Sequence, residues 1–352
     1  MPRFSEETTK RAKERLQGYC RVCRFCDGHA CRGEVPGMGG VGSGAGFMRN
    51  VSALAEYHFV MRTIHDVHSP ATGITLFGIP LSSPILVAPM AGMSYNLGAR
   101  IGEVEIVQAL VRGGKLASCQ VMTGDGKDPE EFQTGVSIVR DEAWGIPVIK
   151  PWSVDRIKER IRICESQGVS AVGIDIDGIR PDRTGMPLEE QFSAKTREDL
   201  ENIIRSTRLP IILKGIMCEE DAEAALASGA AGIVVSNHGG RVLDCAQGVA
   251  DVLPAIAKKV SKDMVVFADG GVRSGVDVLK YLAIGARAVL VGRPLIVAAA
   301  GGGARAVGET LAEMAEELRH AMVLTGCASL DAVGPQMIGN SCRESRGGQR
   351  PC

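Results

Sequence analysis

Residues 231–244 read Ala-Gly-Ile-Val-Val-Ser-Asn-His-Gly-Gly-Arg-Val-Leu-Asp, an apolar run that stops at a histidine, two glycines and an arginine. A buried strand ending in a base, a hinge and a fixed cation suits a site that takes a proton from a substrate while gripping its carboxylate. His238 offers an imidazole, a side chain suited to act as a base in catalysis. Arg241 offers a planar fork to an anion. A polar loop capping a strand would look the same in isolation, so the surroundings of the turn decide between the two.

Two further sets of residues carry chemistry. Asp269-Gly270-Gly271-Val272-Arg273-Ser274 and Gly292-Arg293 each follow an apolar run. Glycine N–H groups, a serine suited to open a helix and two arginines make a cradle for a phosphate. Near the front, Cys20-x2-Cys23-x2-Cys26-x4-Cys31 gathers four thiols, a full ligand set for one metal centre. The run is similar to a ferredoxin cluster motif, but its last interval is four residues rather than three, and Arg32-Gly33 rather than proline follows Cys31. An iron–sulfur cluster is the first expectation. Zinc is the second, because spacers this short cramp a tetrahedral site, and unligated or redox-active thiols are the third. Other cysteines, such as Cys164, Cys218 and Cys245, read as ordinary core or surface residues.

The elements that must position these groups repeat one theme past residue 80: a short run rich in Val, Ile or Ala, a glycine-marked loop, then an amphipathic stretch. Strands are expected at 84–88, 116–119, 147–150, 171–175, 210–214, 231–235, 264–268 and 288–291. Continuous apolar strands alternating with helices mean a parallel sheet buried on both faces. Eight such units predict an α/β TIM (β/α)8 barrel, here with an N-terminal cysteine-rich extension. Helices are expected at 101–113, 153–167, 219–229, 247–260, 274–284 and 304–325, with Ser153 and Ser274 as capping residues. A doubly wound sheet is disfavoured because no Gly-x-Gly-x-x-Gly turn follows the first strand. The expected organisation is a helix plus Cys-rich and Gly-rich segment over 1–50, the barrel over 51–333 and a flexible tail over 334–352.

Composition excludes several classes. The 352 residues are 45% apolar, enough for a large core, and 40 Lys plus Arg balance 41 Asp plus Glu with no basic block. Neither nucleic acid nor an anionic membrane is an expected partner, and the substrate is expected to be a small molecule. No apolar run approaches the roughly 18 residues of a membrane span. Met1 to Arg15 is charged and lacks a signal-peptide core, so a cytoplasmic location is expected.

Lys214, the Ser236–Asp244 segment, Asp269-Gly270-Gly271-Val272-Arg273-Ser274-Gly275 and Gly292-Arg293-Pro294 stand in an order and at separations that resemble the FMN-dependent α-hydroxy acid oxidase and dehydrogenase family, which includes glycolate oxidase and lactate dehydrogenase. The resemblance spans roughly 75–330, and the cysteine-bearing front end resembles a bacterial branch of the family. It implies oxidation of a small 2-hydroxy acid to the 2-oxo acid with FMN as cofactor, and an electron acceptor that it does not identify. His238 would be the base, Arg241 the carboxylate clamp and Asp175 the group that stabilises the imidazolium. Lys214 would lie against the electron-rich edge of the flavin. Ala88-Pro89-Met90-Ala91 and Ser236 would contact the ring, and Asp269, Gly270, Gly271, Arg273, Gly292 and Arg293 would enclose the ribityl phosphate end. The family commonly forms tetramers, so a homo-oligomer is implied.

The chain departs from the family pattern where Gln-x-Tyr is usual and Lys150-Pro151-Trp152 stands instead. Trp152 is then expected on the substrate, and Lys150 brings charge where a neutral amide usually meets flavin. The position of a second family tyrosine falls in the glycine-rich Gly39–Gly46, which contains no tyrosine. Arg180 or Arg183 would supply a second carboxylate-binding arginine. Two other readings stay open at this point: a flavin-dependent isomerase of the type 2 isopentenyl diphosphate isomerase kind, and a catalytically silent redox sensor.

Overall fold

The apolar strands sort their side chains onto two buried faces. In the last strand, Ala288–Val291, Ala288 and Leu290 join an inner cluster while Val289 and Val291 join an outer one. This alternation is what a closed sheet wrapped in helices demands. A computed structural model, describing residues 2, 4–98, 101–179 and 191–339, shows how the chain meets that demand.

An antiparallel hairpin, β1 (Ile74–Leu76) and β2 (Ile79–Leu81), comes first. The barrel strands are β3 (Ile85–Val87), β4 (Met122–Thr123), β5 (Ile146–Ile149), β6 (Val172–Asp175), β7 (Ile211–Ile216), β8 (Gly232–Val235), β9 (Val265–Ala268) and β10 (Ala288–Val291). They pair in the order β3-β10-β9-β8-β7-β6-β5-β4, and a parallel Val87–Val121 bridge closes the ring. The barrel is therefore a TIM barrel. Ile74, Leu76 and Leu81 of the hairpin pack with Leu86, Met122, Ile146, Ile212 and Phe267 inside it. In register, Asp175 of β6 lies beside Lys214 of β7.

The helices are α1 (Glu6–Arg15), α2 (Ala45–Ala55), α3 (Met93–Leu97), α4 (Glu103–Leu116), α5 (Pro129–Glu142), α6 (Val154–Ser166), α7 (Arg197–Ile204), α8 (Glu219–Ala227), α9 (Val249–Val260), α10 (Gly275–Ala283) and α11 (Arg293–Leu324). Each large helix buries one stripe. In α9 it is Val249, Ala250, Leu253, Ile256, Ala257 and Val260. A fully buried Leu or Ile of this kind is worth about 1.5–3 kcal/mol. Ser153 and Ser274 cap α6 and α10 through side-chain oxygens, as their positions predict.

Two expected elements need correction. The strand expected at 116–119 covers the last residue of α4, the exposed Leu116, and the turn after it; the true second strand begins at Met122. The last helix starts at Arg293 rather than 304, because the chain is helical on both sides of a kink at Gly303 (φ 63°). Helix α2 runs across residue 50, and in Gly334–Gly339 Met337 is buried and its carbonyl accepts from Val60 N–H at 2.8 Å; residues 340–352 of the expected tail lie outside the described residues.

The extension lies on the barrel. Arg15 of α1 pairs with Glu105 at 2.6 Å and donates to the Ala300 carbonyl. After a single turn at His29–Cys31 the chain reaches the carboxyl rim, where Val41 N–H donates to the Gly240 carbonyl at 2.9 Å. Among the described residues no helix is long and apolar enough to cross a membrane.

Candidate active site

A cavity of about 830 Å³ opens at the carboxyl ends of the strands, within the usual range for a cofactor or substrate site. Every barrel strand contributes to its wall: Ala88, Gly124, Lys150, Asp175, Lys214, His238, Asp269 and Gly292 lie near the carboxyl end of β3 to β10 or just beyond it, in turn. Val148 and Leu290 lie at its apolar floor.

His238 stands at the start of the β8 turn with φ 57°, a left-handed conformation that a side chain tolerates only when its surroundings hold it. Those surroundings are specific. His238 N–H donates to Ser236 Oγ, and Gly240 N–H donates to Asn237 Oδ1, both at 3.1 Å. Asn237 in turn exchanges amide hydrogen bonds with Asn50 of α2 at 2.7 and 3.1 Å. Gly240 (φ 74°) also presses on the Phe47 backbone, where a Cβ would collide with Phe47 N.

The imidazole Nδ1 lies 3.1 Å from Asp177 Oδ1 and 3.5 Å from both Asp175 Oδ1 and Lys214 Nζ. Asp175 also accepts from Lys214 at 2.9 Å and from Lys150. Burial alone would push the Asp175 carboxyl up, but His238, Lys150 and Lys214 outweigh it and hold the group well below the usual range. Burial would likewise lower Lys214, yet Asp175, Asp177 and Asp269 keep it above the ordinary lysine value. Asp175, Asp177 and His238 are the one set among the described residues close enough to share a cation, but two ammonium groups already serve Asp175. Asp177 had been given no role from sequence. Its place two residues after Asp175, in the turn that follows β6 at the carboxyl rim of the barrel, is the signal that finds it.

Three arginines converge beside this network. Arg241 donates to the Gly37 and Gly39 carbonyls and to Asn96 Oδ1. Arg293 donates to Met38, Gly39 and Gly239 carbonyls and lies 3.7 Å over the Phe47 ring. Arg273 donates to the Cys26 carbonyl at 3.0 Å. Burial first, then the charges of Arg241 and Arg273, lower the Arg293 pKa to about 9. Such a cluster is relieved by an anion. Gly270 and Gly271 adjoin it with φ of 86° and 74°, and a Cβ on Gly271 would come 2.5 Å from the Asn50 carbonyl oxygen. The helix end that faces the cavity is that of α11, through Gly292, Arg293 and Ile296. The start of α10 is not open to a ligand as expected: Arg273 N–H donates to Asp277 and Gly275 N–H to Glu317.

Two further expected contacts lie elsewhere. Trp152 is not on the cavity wall: a tight turn, Trp152 N–H to the Lys150 carbonyl at 2.8 Å, sends the indole into the protein. There it donates to Asp125 Oδ2 at 3.0 Å and packs edge-on to Phe192. Ser236 is buried behind the wall, where its hydroxyl donates to Asp269. Arg180 and Arg183 lie outside the described residues. Asp125, hidden from sequence reading by the misplaced second strand, holds Lys150 N–H at 2.8 Å and pairs with Arg160, so it fixes the strand end that carries Lys150.

Cys20, Cys23, Cys26 and Cys31 surround a second, smaller cavity, whose wall also includes Met38 and Arg293. Both of those residues line the large cavity too. All four thiols are partly buried, and burial, with the neighbouring thiols adding, pushes Cys20 up to about 11.

The chain matches the FMN-dependent dehydrogenase family over residues 37–196 and 180–340. It belongs to the FMN-dependent α-hydroxy acid oxidase and dehydrogenase family. It is 34% identical to 4-hydroxymandelate oxidase of Amycolatopsis orientalis over 86% of this chain and 94% of that protein. Identity to 2-hydroxyacid oxidase of Dictyostelium discoideum is 32% over 82% of this chain and 81% of that one. A solved mandelate oxidase with 3,3-difluoro-2-hydroxy-3-phenylpropionic acid superposes with a TM-score of 0.76 at 30% identity, covering 94% of this chain and 97% of that chain. Another, carrying a monooxide FMN adduct, superposes with a TM-score of 0.73 at 33% identity, covering 89% and 99%.

FMN, the cofactor of this family, suits the donor set. The arginine cluster beside Gly270 and Gly271 answers a phosphate. Asp269 is a wall residue of the cavity, and its buried Oδ1 finds no hydrogen-bond partner among the described residues, which fits a polar group of a bound cofactor.

Proposed function

We propose that this chain oxidises a small 2-hydroxy acid to the 2-oxo acid, with His238 as base and Arg241 as carboxylate clamp. The observation that supports it is their convergence on one cavity: a histidine backed by two carboxylates, an arginine three residues on, and a cationic end suited to a phosphate. FMN, when bound, would supply the two-electron acceptor. Nδ1 of His238 faces Asp177, so its proton belongs there and Nε2 is left to take the substrate hydroxyl proton. Asp177 and Asp175 then stabilise the imidazolium. Arg241 fixes the substrate carboxylate through its fork. Lys214 would hold the electron-rich edge of the flavin, Lys150 and the backbone of Ala88-Pro89-Met90-Ala91 would border the ring, and Arg273, Gly292 and Arg293 would enclose the phosphate. The isomerase and silent-sensor readings lose support, because the relatives are hydroxy acid oxidases and the base and clamp are both retained.

The four N-terminal thiols belong to the same proposal as ligands of a metal centre. The test of the main reading is anaerobic mixing of FMN-loaded protein with glycolate, lactate and mandelate while flavin absorbance is followed. Bleaching by at least one acid, with the matching 2-oxo acid formed, is expected. FMN-loaded protein that no 2-hydroxy acid bleaches overturns it.

A further inference from the structure

We propose that Cys20, Cys23, Cys26 and Cys31 hold an iron–sulfur cluster that takes electrons singly from the reduced flavin and delivers them to a one-electron acceptor protein. The chain is then a dehydrogenase rather than an oxygen-reducing oxidase. This rests on the hydroxy acid reading for its electron source.

The thiols are brought together by the fold and not by spacing alone. A turn at His29–Cys31 returns the fourth thiol to the cavity that the first three border. Their spread argues for the kind of centre. One zinc with Zn–S bonds of about 2.3 Å sets its sulfurs about 3.8 Å apart. No three of these thiols lie within 4.8 Å of one another, since only Asp175, Asp177 and His238 do so among the described residues. A cluster in which separate irons take separate thiolates accommodates the wider set.

Position supplies the route. Arg293 and Met38 form part of the wall of both cavities, so the thiol site and the flavin cavity are one side chain apart there. Arg273, on the flavin side, reaches across to the Cys26 carbonyl and lies 3.4 Å from Cys26 Sγ. A guanidinium donating to a ligand sulfur stabilises added negative charge, which favours the reduced cluster. Each hydroxy acid oxidised releases two electrons and two protons. The electrons enter FMN together and leave through the cluster in two single steps, each reducing one acceptor protein.

The experiment uses protein purified anaerobically with FMN bound. Iron and sulfide analysis should give a cluster's worth of both, and EPR should show a reduced-cluster signal after dithionite and after a bleaching hydroxy acid. With cytochrome c as the acceptor probe, two molecules should be reduced per acid oxidised. Cys23→Ser and Cys20→Ser, which leave the flavin cavity untouched, should cut cytochrome c reduction about 10-fold or more while changing anaerobic flavin bleaching less than about 2-fold. Retained bleaching shows that the barrel is folded. Zinc without iron, no metal at all, or iron with undiminished turnover in both variants overturns the proposal. A dithionite-dependent signal in protein that no hydroxy acid bleaches upholds the cluster and overturns the electron source instead.

Discussion

Asp175→Asn tests whether the charge network at the β6 and β7 ends is built as described. Lys214 Nζ and Asp175 Oδ1 are 2.9 Å apart and both side chains are buried. At an effective dielectric of 20 their attraction is about 6 kcal/mol. Asp177 and Asp269 also raise Lys214, so they retain part of the compensation when Asp175 is neutralised. The net loss expected is about 3–5 kcal/mol, the range for breaking a buried pair by removing one partner. Urea unfolding of the FMN-free protein measures it without interference from cofactor binding. The double variant Asp175→Asn/Lys214→Met removes the stranded ammonium, so its loss should fall short of the sum of the two single losses by about 2 kcal/mol or more. A single-variant loss under about 1 kcal/mol, or singles that add within about 0.5 kcal/mol, refutes the pairing.

Arg241→Lys keeps the charge but loses the fork, so kcat/KM for the bleaching acid should fall about 10- to 100-fold, mainly through KM, with FMN content unchanged; an unchanged KM removes Arg241 from the substrate. Glu131, on the cavity wall, is raised to about 7 by burial and by Glu103, Asp128 and Asp125. A carboxyl raised in the folded state favours folding fully below its unfolded pKa of about 4.3 and loses that contribution as pH rises through its folded value. The wild type should therefore lose Tm relative to Glu131→Gln between about pH 4.5 and 7, and parallel Tm curves across that window exclude the effect.

Seven of the eight barrel strands were legible because each is a continuous apolar run between glycine-marked loops. The second was not, since two residues, Met122 and Thr123, carry no periodicity, while the apolar run 116–119 that reads as a strand is the last residue of α4 and the turn after it. The same two-residue strand hid Asp125. His238, Arg241, Lys214 and Asp175 were readable because strand ends are where a barrel gathers polar groups. The direction of Trp152 was not, because it depends on a tight turn that one residue type does not specify. The role of α2 escaped as well: its residues read as glycine-rich extension, and only tertiary packing brings Asn50 to Asn237.

That amide pair makes the histidine turn a two-part assembly. Asn50 accepts from Val249 N–H and Asn237 Nδ2 also donates to the Gln247 carbonyl, so both ends of the β8 loop are tied to a helix that precedes the barrel. An engineer transplanting the histidine turn to another barrel must carry α2 with it. New chain termini between α2 and the hairpin are compatible with this arrangement, whereas a cut within residues 41–50 separates the turn from its brace.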